Sequence, residues 1–264
     1  MPGKIITVTS GKGGVGKTTL TVNLGIALAR RGKRDVCVDF DIGLRNLDLV
    51  LGLENRIVYD IIDVLEGRVK LNQALVRERH QNQLFLLPAA QWRDKDALSQ
   101  FAIEKLIADL AAQFDFVLID SPAGIEEGFR NAIAVAEDIL LVATPDVSSI
   151  RDADRVTHLA VASKKEKPLL IINRLRSELV KRGDMLQSEN VIELLGLELI
   201  GIIPEDEGII SKTNLGEPSA LDDQSPAGKA INRIARRILG EELAIPKYGG
   251  TIKWFDRFTN LFGG

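Results

Sequence analysis

The stretch Gly11-Lys12-Gly13-Gly14-Val15-Gly16-Lys17-Thr18 constrains the fold of this chain more than any other. It fits G-x-x-x-x-G-K-[ST], and Thr19 extends it. A β-branched run, Ile5 to Thr9, leads into it. Thr18 to Arg31 leads out, with Leu20, Leu24, Ala27 and Leu28 at helical spacing and Gly32 as a stop. Strand, glycine loop and helix in that order distinguish a phosphate loop from a glycine-rich turn that binds nothing. Glycines let backbone N–H groups approach phosphate oxygens, and the helix N-terminus adds positive potential. Lys17 is expected to reach the β- and γ-phosphates, and the Thr18 hydroxyl to bind Mg²⁺.

Further short apolar runs follow: Val36 to Phe40, Leu84 to Leu87, Phe116 to Ile119, Ile139 to Ala143, Leu169 to Ile172 and Leu199 to Ile203. Helical patterns such as Leu98 to Ala112 and Glu126 to Ala136 separate most of them. Buried strands alternating with helices predict an α/β fold, a mainly parallel twisted sheet with helices on both faces. Its ligands belong at the carboxyl ends of the strands. A chain of 264 residues, 45% of them hydrophobic, suffices for one large core over 1–243. Pro246, Gly249 and Gly250 then predict a flexible joint over 244–250, and 251–264 a separate unit.

Composition removes several alternatives. The net charge of −3 argues against a general polyanion binder, so nucleic acid is not an expected partner. Cys37 is the single cysteine, which leaves no intrachain disulfide and no CxxC pair and suits a reducing compartment. The start, Met1-Pro2-Gly3-Lys4, lacks the apolar core of a signal peptide and the body of a transit peptide. No run reaches the roughly 18 apolar residues of a spanning helix.

Three carboxylates are candidates beside the loop. Asp120 ends the run Phe116 to Ile119, where an acid would act at Mg²⁺ or its water shell. Gly124, in the following Ser121-Pro122-Ala123-Gly124, would let a backbone N–H approach the γ-phosphate. Asp39 and Asp41 flank Phe40, and strand alternation puts both on one face. They would face Mg²⁺ and the attacking water, or else cap a turn at Asp41-Ile42-Gly43. Lys12 is a second lysine in a loop that needs one. It is either a solvated neighbour or a cation that crosses to a partner's nucleotide, as an arginine finger does.

In the tail, Trp254, Phe255, Phe258, Leu261 and Phe262 fall on one helical stripe, flanked by Lys253 and Arg257. The two readings are a terminal helix docked on the core and an amphipathic helix lying in a membrane interface. Twelve residues reach only about 18 Å as a helix, too short to span. A single such anchor would partition at about 10⁴ M⁻¹, and two on one dimer would gain on the order of 10²–10⁴ by avidity. With Asp256 offsetting the two cations, aromatic burial rather than charge would dominate this helix.

Lys12 to Thr19 resembles the deviant Walker A loop, whose extra lysine acts across an ATP-sandwich dimer. Asp39 to Asp48, Asp120 to Glu126, Ser148 to Arg155, Arg182 to Met185 and Ile203 to Asp206 narrow the resemblance to the MinD family of P-loop ATPases, which place the division site in bacteria and plastids. The resemblance runs from Lys4 to Phe262. It implies that Lys12 acts in trans, that Gly11 to Thr19 hold ATP or ADP, and that Asp41 positions water. It implies support for water and metal from Asp39 and Asp120, with Thr18 on Mg²⁺. Asn173 would read adenine, aided by Pro204, Glu205 and Asp206. Asp146, Ser148, Arg151, Asp152 and Asp154 would lie in a surface used by a MinC-like inhibitor and a MinE-like activator. The implied activity is slow, partner-stimulated ATP hydrolysis by a homodimer, with ATP-dependent attachment to the inner face of the cell membrane or a plastid envelope. The main rival is a ParA-like DNA-partitioning ATPase, which would carry a basic surface patch. A metal-cluster carrier would need more cysteines, and a nucleotide-gated scaffold would show negligible turnover.

Overall fold

The computed structural model describes residues 2–91 and 99–248. Its strands are β1 (Lys4–Thr9), β2 (Asp35–Asp39), β3 (Val76–Arg77), β4 (Leu84–Leu87), β5 (Phe116–Asp120), β6 (Asp138–Ala143), β7 (Leu169–Leu175) and β8 (Leu199–Pro204). Its helices are α1 (Lys17–Ala29), α2 (Leu47–Leu51), α3 (Ile61–Leu65), α4 (Leu71–Ala74), α5 (Gln100–Ala111), α6 (Glu127–Val135), α7 (Val147–Ala162), α8 (Ser177–Arg182), α9 (Ser188–Leu195), α10 (Gly208–Asn214) and α11 (Pro226–Ile238).

The strands form one sheet in the order β3-β4-β2-β5-β1-β6-β7-β8. Every pairing is parallel except that of β3 with β4. Alternation along each strand sorts the core into two faces. Ile6, Val8, Cys37, Leu118, Leu140 and Val142 lie in the cluster that includes α1, α2 and α11. Val36, Val38, Val117 and Ile119 meet α3 and α5, while Ile139, Leu141, Leu170 and Ile172 meet α6, α7 and α9. The α/β sheet with helices on both faces is the architecture expected from the apolar runs.

Two elements differ from the sequence reading. The two-residue antiparallel edge strand β3 pairs Val76 with Leu86 and Arg77 with Phe85. Two residues are too few for any periodicity to register. The second difference is α1, where eleven of the thirteen residues are buried rather than one stripe. The sheet lies on one side of it, and α2, α11 and the short turn Ser219–Leu221 on the other. Its polar side chains are satisfied within the core: Asn23 Nδ2 donates to the Thr19 carbonyl at 2.8 Å, and its Oδ1 accepts from the Ala220 N–H at 2.6 Å. A Cβ on Gly25 would come within 2.9 Å of Leu84 and 3.0 Å of Cys37, so this glycine lets α1 approach the sheet closely.

After α11 the chain does not leave the body at once. Arg237 donates to the carbonyls of Ile200, Leu243 and Ala244 at 3.1, 2.9 and 2.8 Å. Ile245 and Tyr248 pack on the core beside α6, α7 and α9. Of the joint expected over 244–250, the described residues as far as Tyr248 are laid against the body: Arg237 ties Leu243 and Ala244 to Ile200 of β8, and apolar packing holds Ile245 and Tyr248. The amphipathic tail, with Lys253, Trp254, Phe255, Arg257, Phe258, Leu261 and Phe262, lies outside the described residues. Among the described residues, no helix is long and apolar enough to cross a membrane.

Candidate nucleotide site at the carboxyl edge of the sheet

The glycine loop joins β1 to α1 at the carboxyl end of the central strand, between β5 and β6. Gly14 and Gly16 have φ of 78° and 98°, left-handed values that side chains resist. Gly11 is needed for space. A Cβ there would meet the Asp152 backbone of α7 at 2.3 Å, so the start of the loop rests directly on that helix. Ser10 Oγ donates to the Lys12 carbonyl at 2.7 Å and stiffens the turn.

Parallel register places Asp120 beside both Val8 and Asp39. Thr18 Oγ1 donates to Asp120 Oδ2 at 2.7 Å, and Thr21 Oγ1 to Oδ1 at 3.3 Å. Burial pushes the Asp120 carboxyl up to about 6, against the pull of the Thr18 hydroxyl and the Lys17 ammonium. Lys17 is only 8% exposed. Burial pushes its pKa down, and Asp120 and Asp41 pull it back up. The loop lysine is thus held among carboxylates, a short reach from where phosphates would sit.

Asp39 does something different from Asp120. It is fully buried, and its Oδ1 accepts from the Asp41 N–H at 2.9 Å. Its Oδ2 accepts from the N–H groups of Asn46 and Leu47 at 3.1 and 3.3 Å. Burial and the neighbouring Asp120 raise its carboxyl to about 8 despite those three donors. In this structure the Asp39 side chain holds the loop that carries Asp41 and starts α2. Asp41 is half-buried, close enough to Lys17 and Asp120 for the charges to interact.

Lys12 turns the other way. Its Nζ donates to Ser148 Oγ at 2.8 Å, and Ser148 Oγ donates to Asp146 Oδ1 at 2.8 Å. Asp146 also caps α7 by accepting from the Ser149 N–H at 3.0 Å. Burial raises the Asp146 carboxyl, but hydrogen bonds from the Thr144 hydroxyl, the Ser149 N–H and the Ser148 hydroxyl, with Lys12 nearby, hold it below its usual value. Asp152 and Asp154 are half-buried on the same helix, and Arg151 is exposed.

Asn173 ends up against the loop rather than free of it. Its Nδ2 donates to the Val15 carbonyl at 2.7 Å, and its Oδ1 accepts from the Arg174 N–H at 2.9 Å. Pro204, Glu205 and Asp206 form the turn after β8. The Asp206 carboxylate accepts from Ser225 Oγ at 2.6 Å and from the Gly208 N–H at 3.0 Å. A cavity of about 860 Å³ opens beside the loop, with walls that include Gly14, Gly16, Lys17, Thr18 and Thr19. Its far walls hold Leu49, Arg79, Arg174 and Leu215, which sequence reasoning missed, and Pro204 to Asp206 are not among them. The four come from a helix, a loop, the strand β7 and the end of α10, and only the fold gathers them. Arg174 left a faint signal as the neighbour of Asn173; its φ of 57° is a left-handed value unusual outside glycine.

Among the described residues, no group of three or more His, Cys, Asp or Glu side chains could hold a metal by itself. Mg²⁺ takes one or two protein ligands and completes its shell with phosphates and water. The Thr18 hydroxyl and the Asp120 carboxylate, hydrogen-bonded to each other, are oxygen groups of the kind Mg²⁺ takes.

The chain matches the family model described as the CobQ/CobB/MinD/ParA nucleotide binding domain over residues 6–219. It is 51% identical to the septum site-determining protein MinD of Helicobacter pylori over 98% of each chain. Among solved structures it is similar to a chain of the MinC:MinD cell division protein complex of Aquifex aeolicus, with TM-score 0.87 and 49% identity, covering 94% of this chain and 100% of that one. It is also similar to MinD complexed with Mg-ADP from Pyrococcus horikoshii, with TM-score 0.78 and 30% identity, covering 89% and 95%. With its phosphate loop, its paired Thr18 and Asp120 and this likeness along nearly the whole length, the chain belongs to the MinD family of septum site-determining proteins, P-loop nucleotide-binding proteins of cell division.

Proposed function

We propose that this protein binds Mg-ATP, dimerises on it, attaches to the membrane through residues 251–264, and is released when ATP is hydrolysed. The observation that carries the reading is the division of labour between two lysines of one loop. Lys17 is buried between Asp120 and Asp41, while Lys12 is exposed and reaches out to Ser148. A lysine that its own loop does not use is available to a second protomer. The loop N–H groups and Lys17 would hold the phosphates, and Thr18 and Asp120 would hold Mg²⁺. Bound Mg²⁺ would supply charge neutralisation at the transferring phosphate. Asp41, tied by its N–H to Asp39, is held where it can orient a water.

A solved structure similar to this chain is a MinC:MinD complex, which supports a MinC-like division inhibitor as a partner. The α7 surface around Asp146, Ser148, Arg151, Asp152 and Asp154 is the face we assign to it and to a MinE-like activator. Lys12 bonds into that same face, so nucleotide state and partner access would be linked.

The test is sedimentation with vesicles in ATP against ADP, together with light scattering. ATP should produce a dimer and pellet the protein; ADP should do neither. Lys12→Ala should stay monomeric with ATP, and an ATP-dependent dimer of that variant would overturn the trans contact.

A further inference from the structure

The outer face of α11 carries charge that the nucleotide site does not use. Lys229, Arg233 and Arg236 stand at i, i+4 and i+7, one stripe of the helix. Arg30 and Arg31, at the end of α1, face them across a depression of about 550 Å³. Five cations line one groove in a chain whose net charge is −3.

Some of this charge has a local explanation. Arg30 pairs with Asp223 at 3.0 Å and donates to the Ala220 carbonyl at 2.6 Å. Arg236 pairs with Glu241, and Arg31 donates to the Ala27 carbonyl and to Asn232. Basic side chains at helix C-termini also complement the exposed carbonyls there. None of this accounts for Lys229 and Arg233. Both are exposed, both precede the last turn of α11, and neither has a carboxylate partner among the described residues. The crowding is felt: after burial, Arg236 and Arg30 push the Arg31 guanidinium below its ordinary value.

The position of the groove says what would fill it. α1 and α11 both start at the carboxyl edge of the sheet, and both run back to the amino edge. Arg237, next to the stripe, bonds the Ile200 carbonyl near the start of β8 and the carbonyls of Leu243 and Ala244. The chain after α11 therefore passes along the amino edge, the edge that holds the arginines and lies opposite the nucleotide loop, before Ile245 and Tyr248 pack on the α6, α7 and α9 face. We propose that the groove of Arg30, Arg31, Lys229, Arg233 and Arg236 binds the headgroups of anionic phospholipids, a second membrane contact that reads lipid charge. This rests on the reading of residues 251–264 as a membrane anchor. The tail carries Asp256 against Lys253 and Arg257, so the folded body supplies the cationic surface that the tail lacks. Planar guanidinium groups suit phosphate recognition.

Each cation near an anionic surface contributes roughly fivefold to partitioning. Full-length protein with ATP should therefore bind phosphatidylglycerol-containing vesicles more tightly than pure phosphatidylcholine. The double variant Lys229→Ala with Arg233→Ala should lose about thirtyfold on the anionic vesicles and keep its binding to the neutral ones. Lys229→Arg with Arg233→Lys should restore the preference, and ATP turnover should be unchanged in both. An undiminished preference in the alanine variant overturns the proposal. So does a variant that instead loses retention on duplex DNA while its vesicle binding stands. Wild-type protein that binds neither vesicle with ATP overturns the anchor reading itself, a different result from either.

Discussion

Asp120 and Asp39 end adjacent strands, and their hydrogen-bond partners give them different work. Asp120 accepts only from hydroxyls, Thr18 and Thr21, which can rearrange when a cation arrives. Asp39 accepts three backbone N–H groups, which cannot leave without moving the loop. Asp41 is anchored through its own N–H to the Asp39 carboxylate, and its charge interacts with Lys17 and Asp120. Asp41→Ala should lower ATP turnover by about 10²–10⁴-fold while leaving ATP-dependent vesicle binding intact. Unchanged turnover in a phosphate-release assay would remove Asp41 from the water-positioning role.

At the other end of β2, Asp35 is fully buried with no hydrogen bond to either oxygen, and burial with Asp115 nearby raises its carboxyl to about 8, against Lys33. An unfolded Asp titrates near 4. The folded state therefore holds this proton over a window in which the unfolded state has released it. The stabilisation is full below about pH 4 and is lost as pH rises toward 8. Asp35→Asn should remove that loss and stabilise the protein at pH 8 by about 1–3 kcal/mol. Thermal melts at pH 6 and pH 8.5 check this; a variant with the same pH slope as wild type would count against it. Neither the partners of Asp39 nor the isolation of Asp35 was legible in sequence, because both depend on which backbone lies opposite.

At the scale of elements, the contact between the glycine loop and α7 joins the nucleotide site to the proposed partner face. Gly11 permits it, since a Cβ would penetrate the Asp152 backbone. Neither backbone can yield as a side chain would. Gly11→Ala should thus separate loop from helix and weaken ADP binding by tenfold or more in calorimetric titration, with the circular dichroism spectrum retained. Wild-type affinity would show that the loop tolerates the shift. The motif already marked this position as glycine, but for phosphate approach; its reason here is packing against a helix about 140 residues away in the sequence. The strands themselves were legible to within a few residues, since parallel buried strands are continuous apolar runs. The full burial of α1 was not, because a helix covered on both sides has no polar stripe to reveal its orientation.

For the whole molecule, the polarity of the sheet separates the nucleotide loop from the proposed membrane contacts. The nucleotide loop sits at the carboxyl edge, and Arg237 holds the departing chain at the amino edge. Deleting 251–264 should therefore leave ATP-dependent dimerisation intact and abolish sedimentation with vesicles. Persistent pelleting of the truncated protein would refute the anchor. The basic groove belongs to this scale too. A net charge of −3 argued against a general polyanion binder, yet α1 and α11 bring five cations to one place. Summed charge carries no information about where charges gather.

Local chemistry was determined by the sequence alone. Glycines at fixed offsets, a lysine and a hydroxyl after them, and acids at the ends of apolar runs are consequences of backbone geometry within a few residues. Tertiary structure alone decided the pairings: Thr18 with Asp120, Lys12 with Ser148, Asn173 with the Val15 carbonyl, and Lys229 and Arg233 with Arg30 and Arg31. Each joins residues that are more than 100 apart in the chain, and such contacts follow from strand order and helix packing, which no local pattern encodes.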